Sequence, residues 1–312
     1  MKIAVVGVGA MGSVYAALLA DAGNEVSAID VSPSQISAIR AHGLRVEGAS
    51  GDRVVRLHAT GDPAEVGPVD LVVIATKAMH ARAAAESTRP LLGPETVVLP
   101  IQNGLGSSDA VAEVVGADRV VVGVAGGFGA SVISPGHAHH HGLELVRLGE
   151  LTGTSTPRLE RISETWRAAG FTVAMYDDIG RLVWEKLICN VAFSGPCAVL
   201  DATIGDVLEN EHAWSIASTC AVEAFDVAVA GGIALGFDDP VAYVTSFGKA
   251  IGGARPSLAL DLRAGRLTEI DAINGAIPPR AAELGLAAPC NTTIVALVRA
   301  LQARRAYSES RA

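Results

Sequence analysis

Three polar side chains, Lys186, Asn190 and Ser194, recur every fourth residue along an otherwise apolar stretch from Arg181 to Ser194. Helical residues at i, i+4 and i+8 stack on one face, so an ammonium, an amide and a hydroxyl would line one stripe. A lysine buried in such a stripe is costly unless it has a partner or a task. Spacing alone favours the plainer reading, a surface stripe with Lys186 in water. A second candidate stands at the N-terminus. Val5-Val6-Gly7-Val8-Gly9-Ala10-Met11-Gly12 carries GxGxxG directly after a β-branched run and at the start of a helical window. Gly7 permits the tight turn, Gly9 lets the backbone approach a pyrophosphate, and Gly12 lets the helix pack closely on the strand. The first N–H groups of that helix, which opens with Ala10 and Met11, face the anion. Asp30 ends the second expected strand, near the ~20-residue spacing of a ribose-binding carboxylate. It accepts from the adenosine ribose hydroxyls and repels a 2′-phosphate, so NAD(H) is expected over NADP(H). The competing role for Asp30, helix N-cap, falls better to Ser32, which precedes Pro33 at the first helical position.

Two other constellations lead nowhere. Gly136-His137-Ala138-His139-His140-His141 invites a metal. On a strand only His137, His139 and His141 share a face, and no matching Cys or carboxylate ligand accompanies them, so no metal is expected. No GxSxG elbow occurs, which removes the common serine-hydrolase arrangement.

The elements that must position these groups fall into two halves. Strand-like runs at Ile3–Val6, Glu25–Ile29, Asp70–Ile74, Thr96–Leu99 and Arg119–Val124 alternate with helical windows such as Met11–Asp21 and Pro33–Ala41. Strict alternation implies a parallel sheet wrapped by helices. From Gly126 to Gly149 the Gly-, Ser-, His- and β-branched composition suggests antiparallel strands extending that sheet. A helix over Thr156–Ala169 and a strand over Phe171–Met175 follow. Beyond Asp177 the chain is helical, punctuated by Gly231-Gly232, Gly252-Gly253, Pro278-Pro279 and Pro289. The expected fold is α/β: a Rossmann-type dinucleotide-binding domain over residues 1–177 and an all-α substrate and catalytic domain over 178–312.

Composition sets the outer limits. The 312 residues are 50% hydrophobic and 18% charged, enough for two substantial cores. A net charge of −9, with no Lys/Arg run longer than two, argues against nucleic acid or an anionic membrane as partner. Cys189, Cys197, Cys220 and Cys290 show no CxxC spacing, and three sit in apolar helical contexts, as expected of reduced, buried thiols in the cytoplasm. Met1-Lys2 leads straight into a strand, unlike a signal peptide, and no run reaches the ~18 uninterrupted apolar residues of a membrane span. The expectation is a soluble, cytoplasmic protein with a small-molecule partner. The oligomeric state stays open, a homodimer among the options.

Several motifs in order resemble those of the ketopantoate reductase family. They are Lys2-Ile3-Ala4-Val5-Val6-Gly7-Val8-Gly9-Ala10-Met11-Gly12, Thr76-Lys77-Ala78, Gln102-Asn103-Gly104-Leu105-Gly106, and Ser134-Pro135-Gly136 with His139 to Gly142. Trp184-Glu185-Lys186-Leu187 with Asn190 follows, then Leu267-Thr268-Glu269-Ile270-Asp271-Ala272-Ile273-Asn274-Gly275. The last two are far more specific than a glycine loop. The resemblance implies hydride transfer between a nicotinamide and C2 of a 2-oxo acid, with Lys186 as general acid and Glu269 orienting substrate. It places Lys77 and Asn103, at the C-terminal ends of their strands, against cofactor and substrate. Asn190, Ser194 and Ser257 become substrate-binding positions. Without the resemblance, Glu269 and Asp271 read as carboxylates at a helix N-terminus.

The departures bear on selectivity. Ser194 stands where the family has a second asparagine. Ala254-Arg255-Pro256-Ser257-Leu258 replaces a segment that ordinarily carries another. Losing two amides forfeits selectivity for the ligand that needed them. Arg255 offers a bidentate partner for a substrate carboxylate instead, or is a solvated loop arginine. Asp30 also departs, since many of these reductases have a basic residue there for NADP. Two other functions compete: an NAD-dependent D-2-hydroxyacid or sugar-acid dehydrogenase working oxidatively, and a non-catalytic dinucleotide sensor, which the presence of both Lys186 and Glu269 disfavours.

Overall fold

The computed structural model describes residues 1–127, 129–142 and 145–309. They form two compact units: Met1–Gln102 with Ser107–Ile179, and Asn103–Gly106 with Gly180–Ala312. In chain order the first holds β1 (Lys2–Val6), α1 (Ala10–Asp21), β2 (Glu25–Ile29), α2 (Pro33–His42), β3 (Leu44–Gly48), β4 (Arg53–Val55) and β5 (His58–Thr60). It continues through β6 (Val69–Ile74), α3 (Ala81–Ser87), β7 (Leu92–Pro100), α4 (Ser107–Val115), β8 (Val121–Gly126), β9 (Gly129–Ser134), β10 (His137–Gly142), β11 (Leu145–Glu150), α5 (Pro157–Ala168) and β12 (Thr172–Met175).

The central sheet is parallel, in the order β5-β2-β1-β6-β7, with helices in its connections, as the strand–helix alternation requires. Its inner strands are buried on both faces, so Ile3 to Val6 and Leu71 to Ile74 form continuous apolar runs rather than alternating ones. α1 is buried nearly all round, from Gly12 to Leu19, because it packs against β1 and β2 on one side and against β3, β4, β9 and β10 on another. Tyr15 of α1 joins Trp166 and Phe171 in a cluster of mutually tilted rings, centroids 4.8 to 6.0 Å apart.

The segment after Gly126 departs from expectation. β9 and β10 do not extend the parallel sheet, whereas β11 adjoins it through β8, next to which Val120 bridges Val98 of β7 in parallel. β9 and β10 join β3 and β4 in a separate sheet of order β4-β3-β10-β9, while β8 pairs antiparallel with β11, itself parallel to β12. β3 alternates buried Leu44 and Val46 with charged Arg45 and Glu47, and β4 has only three residues, so neither shows the continuous apolar run of the central strands.

The second unit is helical: α6 (Ile179–Leu200, its first residue counted with the sheet unit), α7 (Ile204–Glu209), α8 (Glu211–Ala230), α9 (Pro240–Ala250), α10 (Ser257–Arg263), α11 (Ile277–Glu283) and α12 (Pro289–Glu309). Its core joins Leu187, Ile188, Val191 and Ala192 of α6 to Ala217, Ala221 and Ala224 of α8 and Ile294 and Val298 of α12. By length and composition α8 could cross a membrane. It nevertheless buries one face in this core and carries Glu223 and Asp226.

Candidate active site

In the first unit the glycine loop joins β1 to α1. Gly7 has φ +89°, a left-handed backbone that glycine adopts without strain, and a Cβ there would stand 2.8 Å from the Thr76 amide nitrogen. A Cβ on Gly12 would meet the Gly7 carbonyl oxygen at 1.9 Å, so only glycine lets α1 approach the loop. At Gly9, the N-cap, a Cβ would have open space around it to 4 Å. Ala10 and Met11 form the first turn, whose N–H groups lack intrahelical acceptors.

Asp30 is half-buried at the end of β2. One of its oxygens accepts the Val8 N–H at 2.8 Å and the other the Ser32 N–H at 2.8 Å. A carboxylate has about four lone-pair directions, so both oxygens can still accept from hydroxyls. Ser32 caps α2, accepting from the Gln35 N–H at 3.4 Å, with Pro33 at the first helical position. Sequence reasoning missed Gln35. It is buried, donates to the Val8 carbonyl at 2.7 Å and accepts the Gly136 N–H at 2.8 Å, tying the glycine loop to the Ser134-Pro135-Gly136 turn. Its partners lie 27 and 101 residues away, a relation that local pattern cannot reveal. Lys77 stands half-buried after β6, leading a 3-10 turn over Ala78–His80.

In the second unit α6 carries Lys186, half-buried, whose Nζ donates to Asn103 Oδ1 at 2.6 Å. Asn190 follows one turn on, half-buried, and Ser194 after another, 5% exposed. The motif around the lysine has a structural reason at each place. Leu187 is core, and Glu185 accepts from Arg181 at 2.7 Å and from the Gly236 N–H at 2.8 Å. The Asn103–Gly106 loop also reaches the turn that bears Glu269: the Leu105 N–H donates to the Ala272 carbonyl at 2.9 Å. A Cβ on Gly104, φ +86°, would stand 2.2 Å from that same oxygen. One short loop thus gathers the lysine, an amide and the Glu269 turn.

Glu269 is half-buried. Its carbonyl accepts from the Ala272 and Ile273 N–H groups, each at 3.1 Å, which makes a turn rather than a helix start. The reading of Glu269 and Asp271 as helix-terminal carboxylates is therefore corrected, since α11 begins only at Ile277. Asp271 pairs instead with Arg299, Oδ1 to Nη2 2.7 Å. A buried network that sequence reasoning missed lies behind this turn. Asn274 donates to the Val191 carbonyl on α6 and to Asn291 Oδ1, both at 2.9 Å. Glu223 accepts from the Cys290 N–H at 2.8 Å, the Asn291 N–H at 2.9 Å and Asn291 Nδ2 at 2.8 Å, capping α12 from a neighbouring helix. Gly195 opens the door to it, because a Cβ there would sit 2.8 Å from Asn274 Oδ1.

The substituted segment before α10 is tied to the end of α6 and the start of α7. Arg255 Nη1 donates to the Asp201 carbonyl at 2.6 Å, and the Ala254 carbonyl accepts the Ile204 N–H at 3.0 Å. Arg255 is thus a clasped residue rather than a solvated one. Ser257 is exposed and opens α10.

The histidine strand has other work. His137 Nε2 lies 3.2 Å and His139 Nδ1 3.7 Å from Glu47 of β3, and the His139 and His141 rings are 4.6 Å apart. Among the described residues no cluster of three or more metal-ligating side chains forms. His140 points the opposite way, fully buried, with Nδ1 3.0 Å from Ser50 Oγ. Burial holds its imidazole below the ordinary 6.5. The folded state then favours the neutral ring, while the unfolded chain takes up a proton near the ordinary value. The resulting stability is complete above about pH 6.5 and is lost as pH falls through that value toward the lower folded one. We expect Tm to be flat from pH 8 to 7 and to fall by several degrees by pH 5.5. His140→Gln should shallow that fall, and an unchanged slope would remove His140 from it.

Comparison with known proteins accords with this geometry. Residues 3–153 match the family model for ketopantoate reductase PanE/ApbA, and residues 178–302 match the model for the C-terminal part of the same family. A 2-dehydropantoate 2-reductase of Halobacterium salinarum is 29% identical over 97% of this chain and 99% of its own length. The crystal structure of 2-dehydropantoate 2-reductase from Geobacter metallireducens is 33% identical, covers 96% of this chain and 99% of its own, and superposes with a TM-score of 0.89. A ternary structure of D-mandelate dehydrogenase with NADH and anilino(oxo)acetate is 28% identical, covers 98% and 99%, and gives 0.88. The chain therefore belongs to the ketopantoate reductase family of NAD(P)-dependent oxidoreductases.

Proposed function

We propose that this chain transfers hydride between NAD(H) and C2 of a small 2-oxo or 2-hydroxy acid, with Lys186 as proton donor and Glu269 orienting the substrate. The observation that carries the reading is the 2.6 Å bond from Lys186 Nζ to Asn103 Oδ1, on a helix that also bears Asn190 and Ser194. The relatives' activity, reduction of 2-dehydropantoate, supplies the substrate class.

The chain's residues fit a dinucleotide. Gly9 leaves open space beside the first turn of α1, where the N–H groups of Ala10 and Met11 would face a pyrophosphate, while Gly7 makes the turn and Gly12 the close packing that present them. Bound there, the reduced nicotinamide supplies the hydride for the carbonyl carbon. Lys186 stabilises the negative charge that develops on the carbonyl oxygen and gives it a proton. Asn103 accepts from the ammonium and so fixes its direction. Asn190, Ser194 and Ser257 hydrogen-bond the substrate's polar groups, and Arg255 pairs with its carboxylate on leaving Asp201. Lys77 and Asn103 contact the cofactor's nicotinamide end. Dinucleotide binding thus belongs to residues 1–177, and substrate binding and proton transfer mainly to 178–312. The buried thiols accord with a cytoplasmic setting.

Asp30 sets the cofactor preference. A 2′-phosphate beside its carboxylate meets repulsion of about 1 to 2 kcal/mol at a partly solvated site, or roughly tenfold in affinity. We expect kcat/KM to be higher with NADH than NADPH by about that factor. Asp30→Asn keeps an acceptor for the Val8 N–H and should narrow the gap. Equal rates with both cofactors in the unaltered protein would exclude the role.

A second reading is favoured by Ser194 and by the NADH-bound D-mandelate dehydrogenase: NAD-dependent oxidation of a D-2-hydroxy acid or sugar acid. A panel of 2-oxo acids with NADH and 2-hydroxy acids with NAD, followed at the reduced-nicotinamide absorbance, separates the two. No turnover with any member, while dinucleotide binds, would leave only the sensor.

A further inference from the structure

Cys220 on α8 and Cys290 in the first turn of α12 face each other with their sulfurs 3.5 Å apart, though 70 residues separate them in sequence. The other two thiols, Cys189 and Cys197, are buried in α6, and burial pushes each up to about 12. Cys290 differs in being only partly covered, so a small oxidant can reach it, while Cys220 lies fully buried behind it. The Cys220 thiol donates to the Cys290 sulfur. That bond favours thiolate at Cys290 and keeps the proton on Cys220. The N-terminus of α12 acts in the same direction, against the opposing charge of Glu223.

We propose that Cys220 and Cys290 form an oxidation site, a dithiol that hydrogen peroxide closes to a disulfide, and that closure slows the enzyme. Cys290 thiolate attacks a peroxide oxygen; the O–O bond breaks, leaving a sulfenic acid at Cys290 and, after proton uptake, water. The Cys220 sulfur then attacks the Cys290 sulfur. An S–S bond forms, the S–O bond breaks, and the departing hydroxide takes the Cys220 proton as a second water. The two thiols lose two electrons and the peroxide gains them.

Closure requires the sulfurs to approach from 3.5 Å to about 2.0 Å, which draws the first turn of α12 toward α8. That turn is not idle. The Cys290 and Asn291 N–H groups are held by Glu223, and Asn291 holds Asn274, which holds the Val191 carbonyl on the helix of Lys186. A shift at Cys290 therefore reaches the lysine helix through four consecutive hydrogen bonds. The effect on rate rests on the proposed hydride-transfer reading; the disulfide itself does not.

The full-length protein, treated with a small excess of hydrogen peroxide, is digested without reductant and its peptides weighed. The expected product is a Cys220–Cys290 cross-linked peptide two hydrogens lighter than its parts, abolished by dithiothreitol and absent from Cys290→Ser. Turnover should fall in step by at least about twofold, the low end of coupling through packed networks, and recover on reduction. Oxidation of Cys290 to sulfinic acid without a cross-link, or linkage to Cys189 or Cys197, overturns the dithiol. An unchanged rate in fully cross-linked protein overturns its coupling to catalysis. Absence of turnover with every substrate would count against the hydride-transfer reading alone, because the mass measurement still decides the dithiol.

Discussion

Replacing Lys186 by alanine is expected to lower kcat by ~10² or more while the dinucleotide still binds. Reduction of a carbonyl places a full negative charge on oxygen, and an ammonium at hydrogen-bond distance is the group on this helix that can both stabilise it and neutralise it by proton transfer. Asn190 and Ser194, on the same face, are neutral. Alanine removes the charge and the proton together, and it strips Asn103 of the donor now at 2.6 Å. The glycine loop and Asp30 belong to the other unit and make their own hydrogen bonds there, so NADH affinity should change little. Lys186→Arg is the informative partner. It keeps the charge but holds its proton more firmly, and its planar fork does not match the geometry of a single Asn103 oxygen. It should recover substrate affinity before it recovers kcat. A Lys186→Ala enzyme turning over near the original rate would end the proton-donor assignment.

What the sequence disclosed, and what it withheld, follows from how local each requirement is. The glycine loop was legible because its demands are local: a positive φ at Gly7 and the 1.9 Å clash a Cβ on Gly12 would make arise within a few residues. Ser32 as the cap of α2 was legible for the same reason. β10 and the β9 it pairs with were misplaced because the other partner of β10, β3, is remote and interrupted by Arg45 and Glu47, and because histidines on β10 conceal its two-residue period. Glu269 was brought forward by family resemblance; its local pattern suggested a helix start where the chain in fact makes a turn. Glu223 left one trace, a lone carboxylate amid Cys220-Ala221-Val222 and Ala224-Phe225, but nothing nearby named its partner.

Glu223→Ala should accordingly be among the most destabilising single changes in the helical unit, by about 3 to 5 kcal/mol. The carboxylate is 8% exposed and accepts three hydrogen bonds, from two backbone N–H groups of α12 and from Asn291 Nδ2. Alanine cannot accept any of them. Each buried donor left without an acceptor costs about 1 to 3 kcal/mol, though Asn291 Nδ2 retains the Cys220 carbonyl at 3.1 Å, which limits the sum. The start of α12 also loses the negative charge that its helix dipole favours. Glu223→Gln separates these contributions. It retains one acceptor oxygen but turns an N–H₂ toward a donor, so it should lose a substantial fraction of the stability and not all of it. Loosening should travel as well. Asn291 is the acceptor for Asn274, and Asn274 pins the Val191 carbonyl one residue beyond Asn190. In Glu223→Gln, assayed well below its Tm, kcat should therefore drop more than NADH affinity does. Denaturant unfolding gives the first quantity and steady-state kinetics the second. A Glu223→Ala protein within about 0.5 kcal/mol of the parent would mean that α12 finds another cap, and that this network does not hold the lysine helix in place.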